Sequence, residues 1–381
     1  IAESLVATLR GLGVDTSPIL WRDQGRLGLY FVEAGANQRG STVLYDRDHS
    51  AVSLAGPDEY AFDAALADVH WLHVTGITPS ISECACRANL ELVRRAKQAG
   101  AAVSCDLNFR KKLWNWRPGT DKKALARECM SEVLQHVDLV IANEEDAADV
   151  LGIHAEGTDV ERGTINAAAY EKVAREIAGR FPGVTRVAIT LRQSISADHN
   201  NWGGMLFDAD ADRAFLAPLD ERGHYCPYEI RDIVDRVGAG DSFAAGLIYA
   251  LNSETYRKPQ QTIRFAVAAS CLKHSIQGDF NYVSVAEVAA LADGESALSG
   301  LLHGGDAASR VALSDAAFAR TQRLSADQDL EALQSSPTGA RVANREGDGE
   351  PVLILGHPPR DAHDRVGIGH VDRHGVGRLA E

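Results

Sequence analysis

No apolar run in this sequence approaches the ~18 residues that a membrane-spanning helix needs, and a soluble protein without a membrane partner is expected. Basic residues are also in short supply. Thirty-nine Lys and Arg stand against 53 Asp and Glu, a formal charge of −14. That imbalance argues against nucleic acid or an anionic membrane surface as partner, and an anionic small molecule would need a local cluster of cations. Cysteines are few and scattered: Cys84, Cys86, Cys105, Cys129, Cys226 and Cys271. Cys84 and Cys86 have neither a histidine nor a second cysteine pair at zinc spacing, so they read as reduced thiols of a cytoplasmic protein rather than a metal centre. A signal peptide is not visible, and Ile1 is not an initiator methionine. The chain enters directly into a helical pattern over 1–12, as though preceding residues are missing.

What is present is ordinary globular composition, with 45% apolar and 24% charged residues over 381 positions. That is enough for one large α/β domain or two smaller ones. Two β-prone stretches, 26–33 and 41–45, are joined by AGANQRG and predict a hairpin. From residue 69 the alternation becomes regular. Strands are predicted over 69–75, 101–107, 137–142 and 184–191, and helices over 81–99, 125–136, 144–151 and 165–180. An antiparallel pair follows at 202–207 and 214–218, then helices over 259–274 and 284–291. Strands separated by helices of this length imply βαβ units and a mostly parallel sheet. Ligands of such sheets collect beyond the carboxyl ends of the strands. Asp106, Asn108, Asn143, Thr190 and Arg192 fall there.

After about residue 293 the character changes. Residues 294–381 are rich in Gly, Arg, Asp and His, with little periodicity apart from a helical pattern near 315–333, and predict a poorly structured extension. Four histidines near the end (His357, His363, His370, His374) match no metal-ligand spacing.

The chemistry concentrates in 232–251, DIVDRVGAGDSFAAGLIYAL. Gly238, Ala239 and Gly240 let backbone N–H groups approach a ligand, and Phe243, Leu247 and Leu251 open a helical stripe immediately afterwards. A glycine turn feeding a helix N-terminus makes an anion site. A carboxylate at the same spot, Asp241, would repel a resting phosphate. It makes sense if it takes the proton of a nucleophile attacking that phosphate.

The string D-x-V-G-A-G-D-S-F-x-A-G, complete at 235–246, resembles the signature of the ribokinase/phosphofructokinase-B family of sugar kinases. The resemblance extends over about 1–293 and implies a ribokinase-like α/β/α sandwich with a small β-lid near 26–46. It implies Asp241 as catalytic base and the amides of Gly238, Ala239 and Gly240 as anion hole. Asn143-Glu144-Glu145-Asp146 resembles the family's N-x-x-E motif, with Asp146 in place of the glutamate. The likeness implies that Asn143 and Asp146 organise Mg²⁺ through water and that Asn143 lies at the phosphates. DLNFR at 106–110 resembles the D-x-N-x-R segment of the branch that phosphorylates 2-keto-3-deoxygluconate to its 6-phosphate. It makes Asp106, Asn108 and above all Arg110 the sugar-acid contacts, since a guanidinium fork fits a carboxylate. RLGLYF at 26–31, YDR at 45–47, TGI at 75–77 and HSIQGDFN at 274–281 add to the likeness. Tyr30 and Arg39 would then face the sugar from the lid, Thr190 and Arg192 the nucleotide phosphates, and Asn281 the adenine.

The implied partners are ATP, Mg²⁺ and a small sugar acid, with K⁺ a candidate monovalent ion and a homo-oligomer left open. The family's first strand and a Gly-Gly sugar-contact motif are not found here. That keeps two other readings open: a different sugar kinase of the family, such as a fructokinase or 5-dehydro-2-deoxygluconokinase, or a non-catalytic remnant that binds sugar or nucleotide.

Overall fold

The computed structural model describes residues 1–143, 145–155 and 167–294. Glu144, most of the polar loop expected at 154–163, and everything expected of 295–381, including the four histidines and the helical pattern near 315–333, lie outside the described residues.

The chain begins with α1 (Ala2–Gly11) and then forms a two-stranded antiparallel lid, β1 (Leu29–Glu33) and β2 (Thr42–Asp46), with Tyr30 opposite Tyr45 and Phe31 opposite Leu44. Two short helices, α2 (Ala51–Leu54) and α3 (Phe62–Ala65), lead to the main sheet. Strands β3 (Trp71–Thr75), β4 (Ala102–Asp106), β5 (Leu139–Ala142) and β6 (Arg186–Ser196) lie side by side and parallel. The sheet continues antiparallel through β7 (His199–Asp208) and β8 (Arg213–Ala217), with a short β9 (Tyr228–Ile230) also on β7. The predicted antiparallel pair is thus β7–β8, and the parallel order β3-β4-β5-β6 follows the chain.

The helical stretch expected over 81–99 is divided. A short α4 (Ile77–Ile81) ends at Ser82, whose hydroxyl accepts the N–H of Ala85 and starts α5 (Glu83–Gln98) afresh. Helix α6 (Lys122–Leu134) starts three residues earlier than its apolar stripe suggests, because Asp121 caps it by accepting the N–H of Ala124. The short helix expected near 144–151 is a π turn, Ala147–Leu151. Helices α7 (Ala167–Arg180), α8 (Ala239–Leu251), α9 (Pro259–Lys273) and α10 (Val285–Ala292) complete the set.

The core lies on both faces of the sheet because side chains alternate along each strand. On β5, Val140 and Ala142 join the cluster formed with α5, α6 and α7, while Leu139 and Ile141 face the cluster formed with α8 and α9. Central strands buried on both sides therefore read as near-continuous apolar runs. This is the expected α/β/α sandwich with its lid. Among the described residues no helix is long and apolar enough to cross a membrane.

Candidate active site

The carboxyl ends of β3, β4 and β5 and the start of α8 meet at one crevice. The turns after β3 and β4 are locked together: the Gly76 N–H donates to the Asp106 carbonyl at 2.8 Å, and a Cβ at Gly76 would lie 2.1 Å from the Leu107 carbonyl oxygen. Asn108 sits in the left-handed region (φ 39°), a conformation that needs outside support. Its N–H donates to Asp106 Oδ1 at 3.1 Å and its side-chain amide to Thr75 Oγ1 at 3.3 Å. Asp146 supplies the rest. It is 2% exposed, one carboxylate oxygen accepting the Phe109 N–H and the other the Asn143 N–H, each at 3.0 Å. Asn143 Oδ1 in turn accepts the N–H groups of Glu145 and Asp146. Asp146 therefore ties the loop after β4 to the loop after β5. Each of its oxygens accepts one backbone amide, so Asp146 holds these loops together with acceptor capacity to spare.

Four charges converge on this frame. Burial, with Asp146 and Asp241 nearby, pushes the Asp106 carboxyl up to about 8, against the pull of Arg110 and the Asn108 amide. Burial also raises Asp146, while Arg110 draws it back. Arg110 is half-buried, and among the described residues no hydrogen-bond or ion-pair partner meets its guanidinium. His73, on the edge strand β3, shares a 2.8 Å hydrogen bond between Nδ1 and Ser104 Oγ. Burial lowers it to about 4, with Asp241 opposing, so the ring is neutral at physiological pH.

The start of α8 carries a row of unpaired amides. Gly238 is its N-cap at φ 77°, and no side chain caps the helix. Among the described residues the N–H groups of Gly238, Gly240 and Asp241 have no acceptor. Gly240 is exposed, and a Cβ there would meet open space. Such a row of unpaired donors at a positive helix end suits a phosphate. Asp241 stands in the same first turn, half-buried, with no donor to its carboxylate among the described residues.

Behind Gly238 the chain is tightly fixed. Asp235 accepts the Val237 N–H through Oδ1 and the Gly278 N–H through Oδ2, both at 2.9 Å. Ser270 of α9 donates to the Ala239 carbonyl at 2.6 Å. Lys273, the last residue of α9, is 0% exposed and donates to the Ile276 carbonyl at 2.8 Å.

Of the residues singled out from the sequence, Asp106, Asn108, Arg110, Asn143, Asp146, Gly238, Ala239, Gly240 and Asp241 are brought together. Tyr30 reaches from the lid, its hydroxyl 3.4 Å from Asp279 Oδ2. Arg39 does not reach inward: it is ion-paired with Glu33 of its own hairpin and 70% exposed. Asn281 is buried and spends its side chain on backbone, donating to the Ala269 carbonyl at 3.0 Å and accepting the Val283 N–H at 3.3 Å, so it braces a turn instead of offering an edge to a base. Thr190 is buried within β6, and Arg192 is half-buried two residues further along that strand.

Sequence reasoning missed Lys273 and His73, and met Asp235 and Arg47 only as members of strings. The buried Arg47 places its guanidinium 5.8 and 5.5 Å from the rings of Tyr30 and Tyr45 beneath the lid. Lys273 did leave a signal, since it occupies the buried stripe of α9 at the spacing Ile263, Ala266, Ser270, Lys273, all 0% exposed.

Known proteins resemble this chain over most of its described length. A solved structure of 2-dehydro-3-deoxygluconokinase from Thermotoga maritima is 40% identical and covers 77% of this chain and 81% of its own, with a TM-score of 0.67. A 2-dehydro-3-deoxygalactonokinase of Haloferax volcanii is 29% identical over 289 residues, 76% of this chain and 77% of the relative. A 2-dehydro-3-deoxygluconokinase of Thermoproteus tenax is 29% identical over 279 residues, 73% of this chain and 71% of the relative. The model of the pfkB family of carbohydrate kinases matches residues 1–178 and 211–280, taking in the β4 and β5 loops and the α8 turn that make the crevice, and the chain belongs to that family.

Proposed function

We propose that this enzyme phosphorylates a 2-keto-3-deoxy sugar acid, 2-dehydro-3-deoxygluconate, at its terminal hydroxyl with ATP as donor, and that it works in the cytoplasm. The observation that carries the substrate class is Arg110. A half-buried guanidinium without a partner beside Asp106 and Asp146, in the crevice that also holds Asp241, is a receptor for a carboxylate.

The unpaired amides of Gly238, Gly240 and Asp241 fit a phosphate group, and bound ATP would supply the phosphoryl group there. Asp241 takes the hydroxyl proton while the substrate oxygen forms its bond to the γ-phosphorus of ATP and the bond from that phosphorus to the β-phosphate oxygen breaks, so that ADP leaves. The open face at Gly240 leaves room for the group in transit. Mg²⁺ would be held directly by the ATP phosphates, with Asn143 and Asp146 reaching it through water. Among the described residues no group of three or more His, Cys, Asp or Glu could hold a metal, and the oxygens of Asn143 and Asp146 already accept amides.

The C4 epimer is a second reading, favoured by the Haloferax volcanii relative, which is named a 2-dehydro-3-deoxygalactonokinase. Both epimers present the same carboxylate to Arg110. A coupled assay over the two sugar acids, fructose and 5-dehydro-2-deoxygluconate decides among them. Turnover of a sugar acid should exceed that of the ketose, and Asp241→Asn should lower kcat by the ~10²–10⁴-fold typical of losing a general base. Near-wild-type kcat in that variant would refute the mechanism, and preference for fructose would refute the substrate class.

A further inference from the structure

We infer that the Lys273 ammonium is a built-in cation that positions the anion hole, and that this kinase therefore needs no monovalent ion. The inference rests on the phosphoryl-transfer reading above and deepens it.

A lysine with 0% exposure has to be held by something. Burial lowers its pKa, while the charges of Asp235, Asp279 and Asp241 draw it back up from beyond ion-pair distance. Its direct acceptor is the Ile276 carbonyl at 2.8 Å. A carbonyl and carboxylates around one point are the oxygen set that a hard monovalent cation would also choose. In this chain the place is filled from within.

The location gives the charge its use. A Cβ at Gly238 would lie 3.3 Å from Lys273 Cε, so the side chain runs directly behind the glycine that starts the anion hole. The same Cβ would lie 2.3 Å from the Asp279 carbonyl oxygen. Asp235, through the N–H groups of Val237 and Gly278, joins the turn before α8 to the loop after α9. The ammonium lies among the elements that fix this turn: Asp235, the carbonyl of Ile276 and Asp279. Its charge offsets those of Asp235, Asp279 and Asp241, which would otherwise oppose an incoming phosphate, and its side chain backs the turn that carries the amides of Gly238 and Gly240. Lys273 is thus a positioning residue with no direct contact to the reacting atoms.

Three variants and one salt panel test this. Wild-type turnover of the sugar acid, at equal ionic strength in potassium, sodium or tetramethylammonium chloride, should agree within about twofold, since the charge is covalent. Lys273→Met keeps the length and loses the charge, and kcat should fall at least ~10-fold, the scale of a lost electrostatic contact at a developing charge. Potassium should not restore it, because the methyl group fills the space. Lys273→Ala opens that space, and potassium or ammonium should raise both its kcat and its melting temperature, while tetramethylammonium, which is too large, should not. Lys273→Arg should retain more activity than Lys273→Met. The thermal readout needs no turnover. Potassium activation of the wild type by tenfold or more would overturn the inference, as would a folded Lys273→Met with unchanged kcat or a Lys273→Ala whose melting temperature ignores potassium. A wild type that turns over no sugar acid in any salt would count against the proposed function, and the melting response of Lys273→Ala would still decide the role of the lysine.

Discussion

At the scale of single residues, Arg110 and Asp106 work against each other, and pH reveals the contest. With its pKa pushed to about 8, Asp106 is neutral at pH 7 and leaves the Arg110 charge free for a substrate carboxylate. Above pH 8 Asp106 becomes an anion that competes for the guanidinium and repels the substrate. KM for the sugar acid should therefore rise as pH passes through about 8, while KM for fructose stays level and Asp106→Asn abolishes the rise. A sugar-acid KM independent of pH between 6 and 9 would show that the two groups do not communicate. Arg110→Leu tests the fork itself. Leaving a carboxylate partly desolvated without its partner costs about 2–5 kcal/mol, which corresponds to roughly 30-fold or more in KM. Neutral ketoses should lose far less. Equal losses for both substrates would make Arg110 a structural residue.

At the scale of elements, the turn that starts α8 concentrates the constraint. Gly238 has φ 77° and the Asp279 carbonyl would stand 2.3 Å from its added Cβ, whereas Gly100, after α5, has φ 83° and nothing within 4 Å. Gly100→Ala should cost only the left-handed penalty of ~1–2 kcal/mol and leave turnover unchanged. Gly238→Ala carries the same penalty plus a backbone clash, and should lower both melting temperature and kcat. Equal stability losses in the two variants would mean that the 278–279 loop yields freely.

The contrast also explains what was legible in the sequence. Strands β3 to β8 and the lid pair came from apolar runs and alternation, and the GAGD turn from its string. The start of α6 was missed because its signal is one carboxylate, Asp121, four residues ahead of the stripe. Asp146 and Asn281 were legible as members of a motif, but their roles were not. Whether a carboxylate faces a ligand or two backbone amides depends on loops brought together from separate strands. Lys273 went unread near the end of the predicted helix, although its place in the buried stripe of α9 marked it.

At the scale of the molecule, three buried groups set opposing slopes of stability against pH. His73 and His274 are both held down to about 4 by burial, so the folded state binds fewer protons than the unfolded chain, whose histidines titrate near 6.5. Their contribution is fully present above pH 6.5 and is lost as pH falls towards 4. Asp106 acts in the other direction. Its folded pKa lies above the ordinary 3.8, so its contribution is greatest in acid and is lost as pH rises to about 8. Between pH 4 and 6.5 the two histidines oppose Asp106 and Asp146, which burial also raises, so stability should climb with pH by less than the histidines alone would give. Between pH 6.5 and 8 only Asp106 titrates among the three, and stability should fall by on the order of 2 kcal/mol. The carboxylates lowered by surface partners, such as Glu128 beside Arg117 and Asp220 beside His224, complete their titration below this range. A maximum near pH 6.5 is therefore expected in denaturant unfolding measured at intervals from pH 4 to 9. Asp106→Asn should remove the alkaline descent and steepen the acid limb, because the histidines then meet less opposition there. A wild-type stability that keeps rising from pH 6.5 to 8 would show that Asp106 is ionised in the folded protein, and the assignment of Arg110 as a free carboxylate receptor would fall with it.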